Sequence, residues 1–331
     1  MMRQSEVDII CLCYNGSRFL NQFINCIVSQ TYDNIVLIMV NDGSTDNSLE
    51  IIEAARKRVE DRGYKYIVQT QKNGGPSSAY NLGMKSVAGD YVMQIDVDDT
   101  IKPETIEKMA KYLDSNSECS IIRTNGVYHY LDQPYNDELL TKTEWDLEEQ
   151  MSQDICEKII LGKVYLLCCS FMFRRVDFEK IYPTRTIAPW RNGQNYQVLL
   201  PLAYRYKAAF INENLFSYTI RNDSLEHTPI TFQQEIKRTE ESAYVIYDSL
   251  IKAGATKEYA EKWSSYREHK RKLYFAYQQR NKKQAKESYN VLKKFKLNNK
   301  VDYLDYVCTV SVIMRCFRKL LGMLYRKYRE D

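Results

Sequence analysis

Short apolar runs alternate with amphipathic stretches of helical length through the first 125 residues. Val7–Cys13, Ile35–Val40, Tyr64–Thr70, Tyr91–Ile95 and Cys119–Arg123 are β-branched or apolar runs of strand length. Between the first two, Phe19, Leu20, Phe23, Ile24, Ile27 and Val28 recur at helical spacing, with Ser17 placed to cap them. Pro76 stands at a first helical position ahead of Ala79 and Leu82, and a further helix is expected from about Pro103 to Leu113. Such strand–helix–strand repetition predicts an α/β fold, a mostly parallel sheet flanked by helices, whose ligands bind beyond the carboxyl ends of the strands. From Thr124 to Asn222 the pattern is mixed, with an apolar stretch over Val164–Phe173, a turn-rich one over Pro183–Gly193 and another apolar one over Tyr196–Tyr206. Beyond Asn222 the chain reads as helices, so an α/β domain over 1–225 and a helical region over 226–331 are expected.

The polar motifs fall at the predicted strand ends. Tyr14-Asn15-Gly16 follows the first strand, Asn41-Asp42-Gly43-Ser44-Thr45-Asp46 the second, Asn73-Gly74-Gly75 the third and Asp96-Val97-Asp98-Asp99 the fourth. Carboxylates this close repel unless a cation, a donor or solvent compensates them. Hard oxygen donors suit Mg²⁺ or Mn²⁺, which complete their shell with water and substrate phosphates. In the second motif the glycine permits a tight turn and Ser44, Thr45 or Asp46 caps the helix that follows, which leaves Asn41 and Asp42 available to a ligand.

Composition narrows the class. With 44% hydrophobic and 27% charged residues the 331-residue chain is globular rather than disordered. Its nine cysteines lack framework spacing, which points to free thiols in a reducing, cytoplasmic compartment. The polar start Met1–Asp8 is not expected to act as a leader, and every apolar stretch is shorter than the roughly 20 residues of a membrane span.

Taken in order, Tyr14-Asn15, Asn41 to Asp46, Asn73-Gly74-Gly75, Asn81-Leu82-Gly83, Gly89-Asp90-Tyr91 and Asp96-x-Asp98-Asp99 resemble the family 2 glycosyltransferases over roughly residues 7–222. The resemblance implies an inverting transferase of the GT-A, nucleotide-diphospho-sugar transferase-like fold with a C-terminal helical extension. Residues 1–105 would form its donor half and 106–225 its acceptor half. It implies a nucleotide sugar donor, a UDP-sugar, with Tyr14 and Asp42 against the uracil. Asn15, Asn73, Gly75 and Asn81 would complete the donor pocket, Asp96 would lie near the ribose or sugar, and Asp98 would hold Mn²⁺ or Mg²⁺, with His227 as a further ligand. The acceptor would be a glycan or lipid-linked glycan, as in bacterial surface-polysaccharide transferases.

Two positions depart from the family pattern. Ala79-Tyr80-Asn81 replaces Ala-Arg-Asn, so the cation expected near the donor is missing. Gly193-Gln194-Asn195-Tyr196-Gln197 replaces the usual Glu-Asp pair, and amides do not act as bases at neutral pH. Gln194 and Asn195 are therefore expected to orient the acceptor, with the base a nearby carboxylate, Asp99 or Glu213. Two rivals stand beside this reading. A sugar nucleotidyltransferase would carry a Gly-rich, Lys/Arg-bearing loop after the first strand, where this chain has Tyr14-Asn15-Gly16-Ser17. A non-catalytic sugar- or lipid-binding relative would have lost its base.

In the helical region, residues 264–300 hold 12 Lys/Arg against Glu268 and Glu287. No nucleic-acid motif accompanies that excess, and nucleic-acid binding is not expected. Ile313, Phe317, Leu320, Leu324 and Tyr328 share one helical face with Arg315, Arg318, Lys319, Arg326 and Lys327 elsewhere, a pattern equally suited to an anionic membrane surface and to packing on the protein.

Overall fold

The computed structural model describes residues 4–133, 137–190, 193–221, 231–316 and 318. The chain forms two compact units, Met1–Pro229 with Lys252–Gly254, and Ile230–Ile251 with Ala255–Asp331.

Among the described residues of the first unit, nine strands make one sheet: β1 Val7–Cys13, β2 Ile35–Asn41, β3 Lys65–Thr70, β4 Tyr91–Gln94, β5 Thr100–Ile101, β6 Cys119–Tyr130, β7 Glu138–Leu139, β8 Phe171–Arg174 and β9 Lys207–Ile220. Their order is β3-β2-β1-β4-β8-β6-β9-β5, with β7 on β6. The first four are parallel, which requires cover on both faces, and β2 is buried along its whole length. The helices Ser17–Val28 and Thr105–Ser115 bury Phe19, Leu20, Phe23, Ile24, Ile27 and Ile106, Met109, Leu113 in the core of this unit.

The parallel expectation holds for that half only. β8 runs antiparallel to both β4 and β6, so the sheet is mixed. The predicted strand at Cys119–Arg123 continues to Tyr130, because β6 pairs in parallel with β9 as far as Tyr130↔Ile220. Its buried polar residues Thr124 and Asn125 interrupt the apolar run by which the strand was recognised. That pairing carries the end of β9 to the short β5, with Thr100 opposite Ser217. The turn Asp96–Asp99, immediately before β5, therefore lies on the last residues of β9.

Gly89-Asp90-Tyr91 lies at the opposite end of the sheet. Asp8 on β1 accepts the Ala88 and Gly89 N–H groups, each at 2.7 Å, and the Glu6 N–H donates to Asp90 at 2.9 Å. That motif fastens β1 to β4.

The second unit contains the helices Phe232–Lys252, Lys257–Gln279, Lys282–Lys294 and Lys300–Val310. Ala260, Trp263, Leu273, Ala276, Ala285, Leu292 and Cys308 are buried in it. Part of its basic excess is paired internally: Arg271 with Glu235, Lys272 with Glu240 and Glu268, and Lys270 with the buried Asp302. Arg318 pairs with Asp305 at 2.6 Å and Arg315 donates to the Cys308 carbonyl, whereas Ile313 is 81% exposed. Phe317, Lys319, Leu320, Leu324, Arg326, Lys327 and Tyr328 lie outside the described residues. Among those described, no helix is long and apolar enough to cross a membrane.

Candidate functional site

The loops after β1, β2 and β3 are stitched together by the motif residues themselves. Ser17 is the first residue of its helix rather than its cap; Gly16 holds the cap position without a side chain to donate or accept. The cap arrives from the neighbouring loop instead. The N–H groups of Asn15, Gly16 and Ser17 donate to Ser44 Oγ (3.0 Å), Ser48 Oγ (3.0 Å) and Asp46 Oδ2 (3.2 Å). Asn15 reciprocates, its Oδ1 accepting the Thr45 N–H at 2.7 Å. Asp46 also accepts from the Ser48 N–H at 3.0 Å, but the cap position of the helix Ser48–Ala54 falls to Asn47, not to Ser44, Thr45 or Asp46, and carries no side-chain cap hydrogen bond.

Asp42 ties this pair of loops to the third. Its Oδ1 accepts from Gly74 N–H (2.9 Å) and Gln71 Nε2 (2.7 Å), and its Oδ2 from Gly75 N–H (2.9 Å). Gly43 lies where the loops meet, at φ +71°, and a Cβ there would stand 2.6 Å from the Asn73 nitrogen. Tyr14 and Asn73 remain exposed at the lip. Asn81 faces another direction, with both ends of its amide on the Ile187 backbone at 2.8 and 2.9 Å.

The turn Asp96–Asp99 is held by β9. Thr219 donates its N–H to Asp99 Oδ1 (2.9 Å) and its hydroxyl to the Asp98 carbonyl (2.6 Å). Arg221 places its Nε 2.7 Å from Asp98 Oδ2. Asp96 accepts from Gln94 Nε2 at 3.0 Å and from the Cys168 thiol at 3.2 Å. Burial, followed by the charges of Asp98 and Asp96, holds the Asp99 carboxyl well above the usual range against the opposing hydrogen bonds from Thr219 and the Cys169 thiol. Hydrogen bonding to Cys169 lowers the Cys168 thiol, but burial and the charges of Asp96 and Asp99 outweigh it and push the thiol up to about 12.

A divalent cation could be held here, since Asp96, Asp99 and Cys168 offer ligand atoms within 4.8 Å of one another; Asp98 is not among them, and the Cys169 thiol hydrogen-bonds the buried Asp99 carboxylate. His227 lies outside the described residues.

The Gly193–Gln197 segment opens the helix Gln194–Arg205. Gln194 is buried and donates to Gln94 Oε1 at 2.7 Å, so an amide chain runs from Gln194 through Gln94 to Asp96. Asn195 donates to the Leu166 carbonyl at 3.3 Å, and its Oδ1 is buried with no partner. Gln197 holds Ala188 through both amide ends, at 2.8 and 3.0 Å. Glu213 is half-exposed and pairs with Lys108 on the helix Thr105–Ser115.

Three contributors escaped sequence reasoning. Gln94 reads as one position of an apolar strand, Cys168 as one of nine free thiols, and Arg221 stands in no motif. A polar residue within a short buried strand, such as Gln94, is the signal that was present for one of them.

Residues 8–182 match the family model described as glycosyl transferase family 2. An uncharacterized glycosyltransferase of Nostoc sp. is 27% identical over 258 residues, covering 75% of this chain and 77% of its own. The structure of S. aureus TarS 1–349 in complex with UDP-GlcNAc superposes with a TM-score of 0.66 at 15% identity, over 95% of this chain and 92% of that one. The mannosyltransferase PcManGT from Pyrobaculum calidifontis, in complex with GDP-Man and Mn²⁺, gives 0.53 at 12% identity over 96% and 88%.

The stitching of the three loops makes Gly43 a sensitive position. Gly43→Ala is expected to cost more than about 1 kcal/mol, from the left-handed backbone and the clash with Asn73 together. Chemical denaturation followed by circular dichroism measures it; an unchanged midpoint would contradict the packing described.

Proposed function

The chain belongs to glycosyl transferase family 2, and on that basis we propose that it moves a sugar with inversion from a UDP-sugar to a hydroxyl of a glycan or lipid-linked glycan. The observation that carries the reading is the convergence of Asp96, Asp98, Asp99 and Arg221 at one strand end, beside the linked loops after β1 and β2. Support comes from TarS, a fold neighbour whose complex contains UDP-GlcNAc, and from PcManGT, whose complex contains GDP-Man and Mn²⁺.

In this reading Tyr14 stacks on the uracil. Asp42 Oδ2, which accepts one N–H from the protein, keeps a lone pair for the uracil N3–H. Asn15, Asn73 and Gly75 shape the pocket wall, and Asn81 acts at one remove by fixing the segment at Ile187. Asp98 would hold Mn²⁺ or Mg²⁺, with His227 as a further ligand and Asp96 at the ribose or sugar. Such an ion supplies positive charge to the departing diphosphate. Arg221 supplies the protein cation that Ala79-Tyr80-Asn81 lacks.

On the acceptor side, Gln194 steadies Asp96 through Gln94. Asn195 offers its unpaired Oδ1 to the incoming hydroxyl, orientation that is worth about 10²-fold in rate. We assign the acceptor's proton to Asp99, which takes it in its carboxylate form and, being buried, holds it more tightly than an exposed carboxylate would, whereas Glu213 is paired with Lys108.

The test is release of UDP from a panel of nucleotide sugars with Mn²⁺, together with calorimetry of UDP binding. Metal-dependent UDP binding that Asp98→Ala removes, and that GDP and CDP do not match, is the expected result. Equal binding with and without metal, or equal competition by GDP, would overturn the donor assignment.

The helical unit supports peripheral docking on an anionic membrane, because Lys282, Lys283, Lys286, Lys293 and Lys294 are all exposed on the helix Lys282–Lys294 while its Ala285, Ser288 and Leu292 are buried. Each such lysine contributes about 1 kcal/mol near a charged surface. Changing Lys282, Lys286 and Lys293 to Gln should weaken co-sedimentation with phosphatidylserine vesicles about fivefold per residue. Identical binding of the variant and the parent would remove this helix from the membrane contact.

A further inference from the structure

A groove lies on the sheet beside the clamp that β9 makes. Ser217 on β9 stands opposite both Val127 on β6 and Thr100 on β5, so the three side chains share one face of the sheet. Asp137 ahead of β7, Lys102 after β5 and Asn214 on β9 complete the walls, around a volume of about 300 Å³. Ligand sites begin at roughly that size. Asp137 is tethered by the His129 ring at 2.9 Å. Thr100, Val127, Asn214 and Ser217 are half-buried, while Lys102 and Asp137 are exposed, so solvent reaches the groove. Thr100 directly follows Asp99, and Ser217 is two residues short of Thr219, whose hydroxyl holds the Asp98 carbonyl. The groove therefore begins where the clamp ends.

We propose that this groove binds a sugar of the acceptor glycan other than the one that is glycosylated, a proposal that rests on the sugar-transfer reading above. The lining makes the choice of ligand. The Thr100 and Ser217 hydroxyls and the Asn214 amide both donate and accept, Lys102 donates and Asp137 accepts. Sugar hydroxyls do both and match all five, while Val127 offers apolar surface to the C–H face of a ring. A phosphorylated ligand would meet one lysine against one carboxylate, and an acyl chain would meet five polar side chains. A peptide pairs along a strand edge rather than across the side chains of a sheet face. Binding a remote sugar favours acceptors long enough to reach the groove, since contacts away from the reacting centre help to position it.

Glycan and peptide arrays probed with the full chain in UDP and Mn²⁺ test it, followed by calorimetry of the captured oligosaccharides on the parent and two variants. Ser217→Trp fills the groove, and Lys102→Met combined with Asn214→Leu removes two of its hydrogen-bonding groups. Each variant should weaken oligosaccharide binding about 10-fold, the worth of two ordinary hydrogen bonds, and leave UDP bound as in the parent. A parent that captures no oligosaccharide, or that captures peptides in their place, would overturn the proposal. Oligosaccharide binding that the variants leave intact would overturn it too. Should Ser217→Trp fail to fold, the Lys102→Met, Asn214→Leu variant decides. If the parent binds no UDP while its oligosaccharide binding responds to the variants, the sugar-transfer reading falls and the groove stands as a glycan site.

Discussion

Three carboxylates within four residues at the end of a buried strand repel one another, and much of the architecture around them serves to hold that arrangement in place. The charges of Asp98 and Asp96 add to the burial that raises the Asp99 carboxyl. A guanidinium at Asp98, backbone and hydroxyl donors from Thr219, and an amide and a thiol at Asp96 compensate the cluster from separate segments. The long β6–β9 ladder gains its meaning here. Its eleven-step register from Cys119 to Tyr130 delivers the end of β9 to the turn after β4. A sheet made only of the parallel strands β1 to β4 would leave those carboxylates without Arg221.

Residues 1–105 were legible because their signals are local. A buried parallel strand must be apolar throughout, and a strand-end loop needs glycine, Asn, Asp and Ser, so motif and element coincide in one short window of sequence. Val7–Cys13 matches its strand residue for residue, and Ile35–Val40 differs by one. What the motif residues do was less legible. Asp42, Asn15, Ser44 and Asp46 read as ligand groups or helix caps, yet each also fastens one loop to another, and no single-sequence pattern encodes a partner some 30 positions away.

Residues 106–225 were legible only in part, since the polar contacts they make come from long-range pairing. Gln94 and Gln194 stand 100 residues apart and meet in one hydrogen bond; Arg221 and Asp98 stand 123 apart. The Gln-Asn variant at the usual acid position reads as a loss when taken alone. In the folded chain Gln194 is a link to Asp96 and Asn195 keeps an unpaired acceptor, so the segment is organised around its amides rather than decayed.

The central claim is that the carboxylate turn after β4, clamped by β9, is where nucleotide and metal meet. A crystal grown with UDP and Mn²⁺, with data collected at the manganese edge, tests it most directly. The account predicts an anomalous peak at coordination distance from the Asp98 carboxylate, with the diphosphate beside it and the uracil against Tyr14 and Asp42. A nucleotide bound elsewhere, or manganese touching none of Asp96, Asp98 and Asp99, would contradict it.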